Sequence, residues 1–211
     1  MFITLEGGEG SGKSSVATEI AQRLESAGLV AIVTQEPTGT ELGRRIWEFF
    51  QEPDPPAITP LAELLLFEAA RAQHVEKVIR PALALGTMVI CDRFADSSLA
   101  YQGYGRGLAH ALVESLNHAA TGGLRVDLTL LLDVPVEIGL ERARRLNAVP
   151  GAKIEDAIGE ESLQFHLRVH EGFQEIARTN PERVAIIDAA RSLGEVIEGA
   201  WRVVEQAIST A

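Results

Sequence analysis

Five short apolar runs punctuate the chain, at 2–5, 30–34, 88–91, 128–132 and 184–187. Each is close to continuous rather than alternating with polar residues, which is the pattern of strands buried on both faces. Three run directly into an aspartate: Asp92, Asp133 and Asp188. Between the runs, apolar positions recur three and four apart. Val16, Ile20, Leu24 and Ala27 would share one face of a helix that starts after Gly12 and stops at Gly28. A second helix is expected from Glu41 toward Phe50. Thr59 is placed to cap a third, with Pro60 at its first position and Leu61, Leu64, Leu65 and Phe67 along it. The proline-rich stretch 51–56 reads as a loop. So does 146–159, which has no clear period and holds Pro150 and Gly151. Strands alternating with helices predict an α/β fold, a five-stranded parallel sheet wrapped by helices.

At 211 residues and 46% hydrophobic content the chain can bury one substantial core. Residues 1–211 are therefore expected to form a single domain. No apolar run is long enough to cross a bilayer, and Met1 leads straight into a strand without a basic n-region. Cys91 is the only cysteine, so no internal disulfide can form. These features predict a cytoplasmic protein. The net charge of −11 repels nucleic-acid backbone and anionic membranes, so neither is expected as a partner. The same field repels nucleotides, so a phosphate site in this chain has to be locally basic.

One stretch supplies such a site. Gly7-Gly8-Glu9-Gly10-Ser11-Gly12-Lys13-Ser14 fits G-x-x-x-x-G-K-[ST] between a predicted strand and a predicted helix. Glycines let backbone amides converge on phosphate oxygens, and the helix N-terminus adds partial positive charge. Lys13 is placed to reach the β- and γ-phosphates of ATP, and Ser14, followed by Ser15, to meet Mg²⁺. The motif alone does not separate kinase, GTPase and motor. A guanine-reading N-K-x-D is absent, and the chain is short for a motor. Asp92-Arg93 closes the third strand, where ligands of open α/β sheets bind. Asp92 can hold Mg²⁺ and Arg93 can bridge phosphates, or the two can form a structural pair. Phe67 and Arg71 stand four apart on one helical face. They can stack on a base and read its edge, or Phe67 can be plain core. Residues 97–107, rich in hydroxyls and glycines, read as a polar loop past the strand end.

In chain order, residues 6–14, Glu36-Pro37-Thr38-Gly39-Thr40, Phe67-x-x-x-Arg71, Asp92-Arg93-Phe94 and 96–103 resemble the bacterial type of thymidylate kinase. The likeness extends to 127–130 and 165–169. It implies the fold of the P-loop nucleoside monophosphate kinases, a homodimer, ATP as phosphate donor, Mg²⁺, and thymidylate (dTMP) as acceptor. Phe67 would stack on thymine and Arg71 would read its carbonyl edge. Ser98 and Gln102 would line the base and sugar pocket, and Tyr101 would disfavour a 2′-hydroxyl. Glu9 would meet the acceptor near its 3′-hydroxyl, Glu36 and Pro37 would belong to the acceptor site, and Arg93 would bind the transferring phosphate. Residues 142–160 would form a lid over ATP. Three positions depart from the family: Gln35, Trp47 and Lys153 stand where arginine is common. Arg44, one turn before Trp47, is therefore expected nearer the acceptor phosphate than Arg45. Glu9 rather than arginine stands in the P-loop. A cation for the γ-phosphate is then expected from Arg142, Arg144 or Arg145, with Arg142 and Arg145 on one face, or from Lys153.

Overall fold

The computed structural model of the chain describes residues 1–52, 57–147 and 162–209. The five apolar runs are strands: β1 (Phe2–Glu6), β2 (Ala31–Gln35), β3 (Met88–Asp92), β4 (Leu128–Asp133) and β5 (Val184–Asp188). All pair in parallel in the order β2-β3-β1-β4-β5. Each ends one residue later than the apolar pattern indicates, because the polar residue that follows still pairs. Asp92 lies opposite Leu5 and Gln35, and Asp133 opposite Asp188. The sheet therefore presents a polar carboxyl edge. β1 is central, with β2 and β3 to one side and β4 and β5 to the other, so a crevice opens where the strand order reverses.

Helices cover both faces. On one, α1 (Lys13–Ser26) and α9 (Leu193–Ser209) bury Val16, Ile20, Leu24, Val196 and Ala200 against Ile3, Leu5, Ile90 and Leu130. On the other lie α3 (Pro60–His74), α5 (Ala95–Ser98) and α8 (Leu163–Thr179). Phe2 meets Phe94 edge-on there, and Phe165 and Phe173 pack on Tyr101. The remaining helices are α2 (Glu41–Phe50), α4 (Arg80–Ala84), α6 (His110–Thr121) and α7 (Val136–Asn147). α2 and the Thr59 cap with Pro60 stand where the sequence predicts them.

One expectation needs correction. Residues 97–107 are mostly not a loop: α5 runs into a π-helical stretch, Leu99–Gly105. Ala100 and Tyr101 are buried against α8 and Gln102 is buried beside Glu63 of α3, and that packing overrides the glycines. In addition, α3 is inverted relative to its apolar pattern. Leu64 is buried, but Leu61 and Leu65 are 42% and 48% exposed while Glu63, Glu68, Arg71 and His74 are buried.

Candidate active site

Between β1 and α1, Gly7, Gly10 and Gly12 adopt φ of 140°, 64° and 93°, which glycine reaches without steric penalty. A Cβ on Gly10 would stand 2.2 Å from the Gly139 carbonyl oxygen, so the loop seats directly on α7. The Lys13 ammonium, buried, donates to the carbonyls of Gly7 at 3.2 Å and Gly8 at 2.9 Å. Gly12 caps α1 without a side chain, so the first amides of α1, including those of Ser14 and Ser15, face the loop mouth. The Ser14 hydroxyl donates to Asp92 Oδ2 at 2.7 Å. A hydroxyl and a carboxylate beside a phosphate cradle form the hard-oxygen donor set that suits Mg²⁺, whose other ligands are water and phosphate oxygens. Among the described residues no cluster of three or more His, Cys, Asp or Glu is arranged for a metal, so no all-protein cage competes with this pair.

Beside the cradle a partly open cavity lies at the carboxyl edge. Its walls include Glu36, Pro37, Phe67 and Arg71 from one side and Arg93, Ser98, Tyr101 and Gln102 from the other. The eight come from three separate segments of the chain. Trp47 of α2 is buried and also lines the cavity. Phe67 is at once a wall and a packed residue, since its ring stacks on Phe50 at 5.0 Å.

Arg71 is the centre of a buried polar cluster. Its Nε donates to Glu36 Oε2 at 2.8 Å, and the two protons of Nη1 are shared among Glu68 Oε1 at 2.6 Å, Asn117 Oδ1 at 2.6 Å and Ser98 Oγ at 2.9 Å. Nη2 donates to the Phe94 carbonyl at 3.0 Å. Guanidinium carries two protons on Nη2, so this bond leaves one for a ligand in the cavity that Arg71 lines. Glu36 also meets His74 Nδ1 at 3.1 Å. Burial raises the Glu68 carboxyl above its ordinary value despite the Arg71 charge. Gln102 is oriented by Glu63, which Arg106 pins with two bonds of 3.0 and 3.1 Å. Glu63, Glu68, His74 and Asn117 are functional neighbours that the sequence pattern does not single out. The one available signal was polar residues at helical spacing on α3, which resemble a solvated face.

Arg93 has φ of 65° and is held between the cradle and the cavity. Its contacts to the Gly7 carbonyl, Ser97 Oγ and Glu9 Oε1 are long, at 3.3, 3.4 and 3.9 Å, and its guanidinium lies 5.1 Å from the Tyr101 ring centre. Glu9 accepts from the Tyr101 hydroxyl at 2.7 Å. His166 Nδ1 of α8 stands 3.2 Å from Glu9 Oε2, at ion-pair distance but misaligned as a hydrogen bond. Burial alone would raise the Glu9 carboxyl; His166, Arg93 and Tyr101 together outweigh it and hold it below its ordinary value. His170, one turn along α8, meets Asp133 at 2.8 Å, and this bond raises the His170 pKa.

Of the expected lid cations, Arg142 is beside the cradle: a Cβ on Gly10 would stand 3.0 Å from its Cβ. Its guanidinium donates to the carbonyls of Ala189 at 2.7 Å and Ala190 at 3.2 Å. Arg145 is exposed and pairs with Glu141 of its own helix, and Arg144 is exposed. Lys153 and most of the expected lid, 148–161, lie outside the described residues. Arg44 and Arg45 are exposed and both pair with Glu41. Neither lines the cavity, so the structure does not favour Arg44 over Arg45.

The sequence profile described as Thymidylate kinase matches residues 5–199. The chain belongs to the thymidylate kinase family. It is 50% identical over 211 residues to the thymidylate kinase of Synechococcus sp. (strain JA-3-3Ab), covering 100% of this chain and 98% of that one. To the thymidylate kinase of Syntrophotalea carbinolica it is 46% identical over 208 residues, 99% and 96% of the two chains. The crystal structure of thymidylate kinase from Ehrlichia chaffeensis superposes with a TM-score of 0.77 at 31% identity, covering 97% of this chain and 98% of that one.

Within this thymidylate kinase fold, two departures noted in the sequence have visible surroundings. Gln35 ends β2 and donates to the Thr38 hydroxyl, shaping the turn that leads to Glu36 and Pro37. Trp47 fills the cavity wall on α2. Gln35 is held by this neutral hydrogen bond and Trp47 by packing against Phe50.

Proposed function

We propose that this chain transfers the terminal phosphate of ATP to thymidylate, releasing ADP and thymidine diphosphate. The observation that carries the reading is the juxtaposition of a P-loop with a cavity walled by Phe67, Arg71, Ser98, Tyr101 and Gln102, with Arg93 between them. ATP would lie with its phosphates over the Gly7–Ser14 cradle and Lys13. Ser14 and Asp92 would hold Mg²⁺, which when bound neutralises phosphate charge. Thymidylate would occupy the cavity, its base against Phe67 and its carbonyl edge toward the remaining Nη2 proton of Arg71. Tyr101, fixed by Glu9, would crowd the sugar where ribose carries its 2′-hydroxyl. Arg93, between the cradle and the cavity, would meet phosphate oxygens as the two substrates come in line. Positioning and charge neutralisation supply most of the acceleration in such transfers. Arg142 is the cation of α7 nearest the cradle and is our assignment for the γ-phosphate, with Arg145 as an outer contributor.

A cytoplasmic homodimer fits this reading. Leu61 and Leu65 of α3, Leu42 of α2 and Leu112 of α6 are each 40–48% exposed, and a second copy would cover them. No helix of the described residues is long and apolar enough to cross a membrane. The test is direct: incubate the protein with ATP and thymidylate and resolve the products by ion-exchange chromatography. ADP and thymidine diphosphate should form in equal amounts, and chelation of Mg²⁺ should stop both. Hydrolysis of ATP to ADP without thymidine diphosphate would contradict the proposal.

A further inference from the structure

Glu6, the last residue of β1, is 1% exposed and has no part in the chemistry above. Strand alternation puts its side chain on the face of Phe2 and Thr4, toward the turn that follows β3. Its Oε1 accepts from the Phe94 backbone N–H at 2.8 Å, and Oε2 accepts from the Ser97 hydroxyl at 2.6 Å. Immediately before those anchors lies Arg93, the one non-glycine with positive φ among the described residues. A side chain in that region is disfavoured unless its surroundings over-determine it. Phe94 begins α5 without a side-chain cap of its own, so Glu6 takes the amide that would otherwise be orphaned. The Arg93 N–H is tied to the Leu5 carbonyl at 2.9 Å, from the same strand. The hydroxyl that Glu6 holds also touches Arg93 Nη1 at 3.4 Å. β1 thus fixes the backbone on both sides of Arg93, and one carboxyl group governs both the following amide and a partner of the guanidinium.

We propose that Glu6 is a positioning residue for phosphoryl transfer, holding Arg93 in its left-handed turn. The proposal rests on the reading of Arg93 as the cation at the transferring phosphate. Its test is a double-substitution cycle on the full chain, with melting temperature and far-UV spectrum recorded for every variant. Glu6→Ala should lower kcat roughly ten- to a hundredfold. The KM values of ATP and thymidylate should stay within about threefold. Glu6→Gln keeps an oxygen for the Phe94 amide and should recover most of the loss. In an Arg93→Ala background, Glu6→Ala should lower kcat by less than about twofold further, since the residue it positions is gone. Should Glu6→Ala not fold, Glu6→Asp, one methylene short of reaching both anchors, takes its place in the cycle. Unchanged kcat in the folded Glu6 variants, or the same fold-loss with and without Arg93, would overturn the proposal. Full turnover in Arg93→Ala would instead overturn the reading of Arg93, and this proposal with it.

Discussion

Arg71 illustrates how one side chain can serve structure and ligand at once. It compensates two buried carboxylates, Glu36 and Glu68, while lining the acceptor cavity. Removing one partner from a buried ionic cluster typically costs about 3–5 kcal/mol, because the remaining charges are left unpaired. Arg71→Ala is therefore expected to destabilise the fold by that order in urea unfolding, beyond any effect on thymidylate; a loss under about 1 kcal/mol would show that the cluster is not what holds α3 in place. Glu6 makes a second residue-scale prediction. Burial, with the nearby Asp96 charge, raises its pKa from 4.5 to about 8, against the opposing pull of Ser97, Arg93 and the Phe94 amide. Between those two pH values the folded protein retains a proton that the unfolded chain releases. The contribution of Glu6 to stability is thus fully present below about pH 4.5 and is lost as pH rises through about 8. The urea midpoint should fall more from pH 5 to pH 8 in the wild type than in Glu6→Gln. Equal falls in the two proteins would contradict this assignment.

The elements differ in how legible they were from the sequence. β1, β3 and β4 were plain because burial on both faces writes itself as continuous Ile, Val and Leu; the edge strands β2 and β5 carry a similar apolar run although Val33 and Ile186 are about half exposed, and α2 and the start of α3 were plain because Thr40, Thr59 and Pro60 are strong terminal signals. The P-loop was legible because its glycines, lysine and serine must occur at fixed spacing. The interior of α3 was not, since a helix that buries Glu63, Glu68, Arg71 and His74 has the pattern of a solvated one. Only tertiary partners on α6, β2 and the π-helical stretch make those polar groups internal. The π-helical stretch was misread for the opposite reason: glycine and hydroxyl content suggested a loop, while packing against α8 decided otherwise. The seat of α2 was equally hidden. A Cβ on Gly43 would stand 1.7 Å from the carbonyl oxygen of Pro37, a cavity residue. Gly43→Ala must push α2 or the Pro37 turn outward. We expect it to raise the KM for thymidylate about tenfold or more while leaving the KM for ATP within about twofold. An unchanged thymidylate KM would show that the turn is free to move without harm.

For the molecule as a whole, the net charge of −11 opposes the binding of two anionic nucleotides, so the few cations at the carboxyl edge carry unusual weight. Lys13 and Arg93 are in place. For the γ-phosphate, α7 offers Arg142 and Arg145. Arg142 lies beside Gly10 but is anchored on the Ala189 and Ala190 carbonyls, whereas Arg145 is exposed on Glu141. A cation acting on the transferring phosphate is typically worth 10³–10⁵ in turnover. Loss of a helix-end charge is worth little. Arg142→Ala should therefore cost at least about a hundredfold in kcat at saturating substrates, and Arg145→Ala less than about tenfold. If Arg142→Ala falls by less than tenfold, its bonds to the two alanine carbonyls are its whole role.

The central claim is that the cavity reads thymine. Altering Arg71 cannot test this cleanly, because that change also disturbs the fold, so the substrate has to be altered instead. Deoxycytidylate carries an amino donor where thymidylate carries a carbonyl acceptor, and it would set that donor against the Arg71 N–H. The decisive measurement is kcat/KM of the unmodified protein for thymidylate and for deoxycytidylate at saturating ATP and Mg²⁺. A site built to hydrogen-bond one group should reject the mismatched one by at least about a hundredfold. Comparable values for the two nucleotides would contradict the assignment of the cavity.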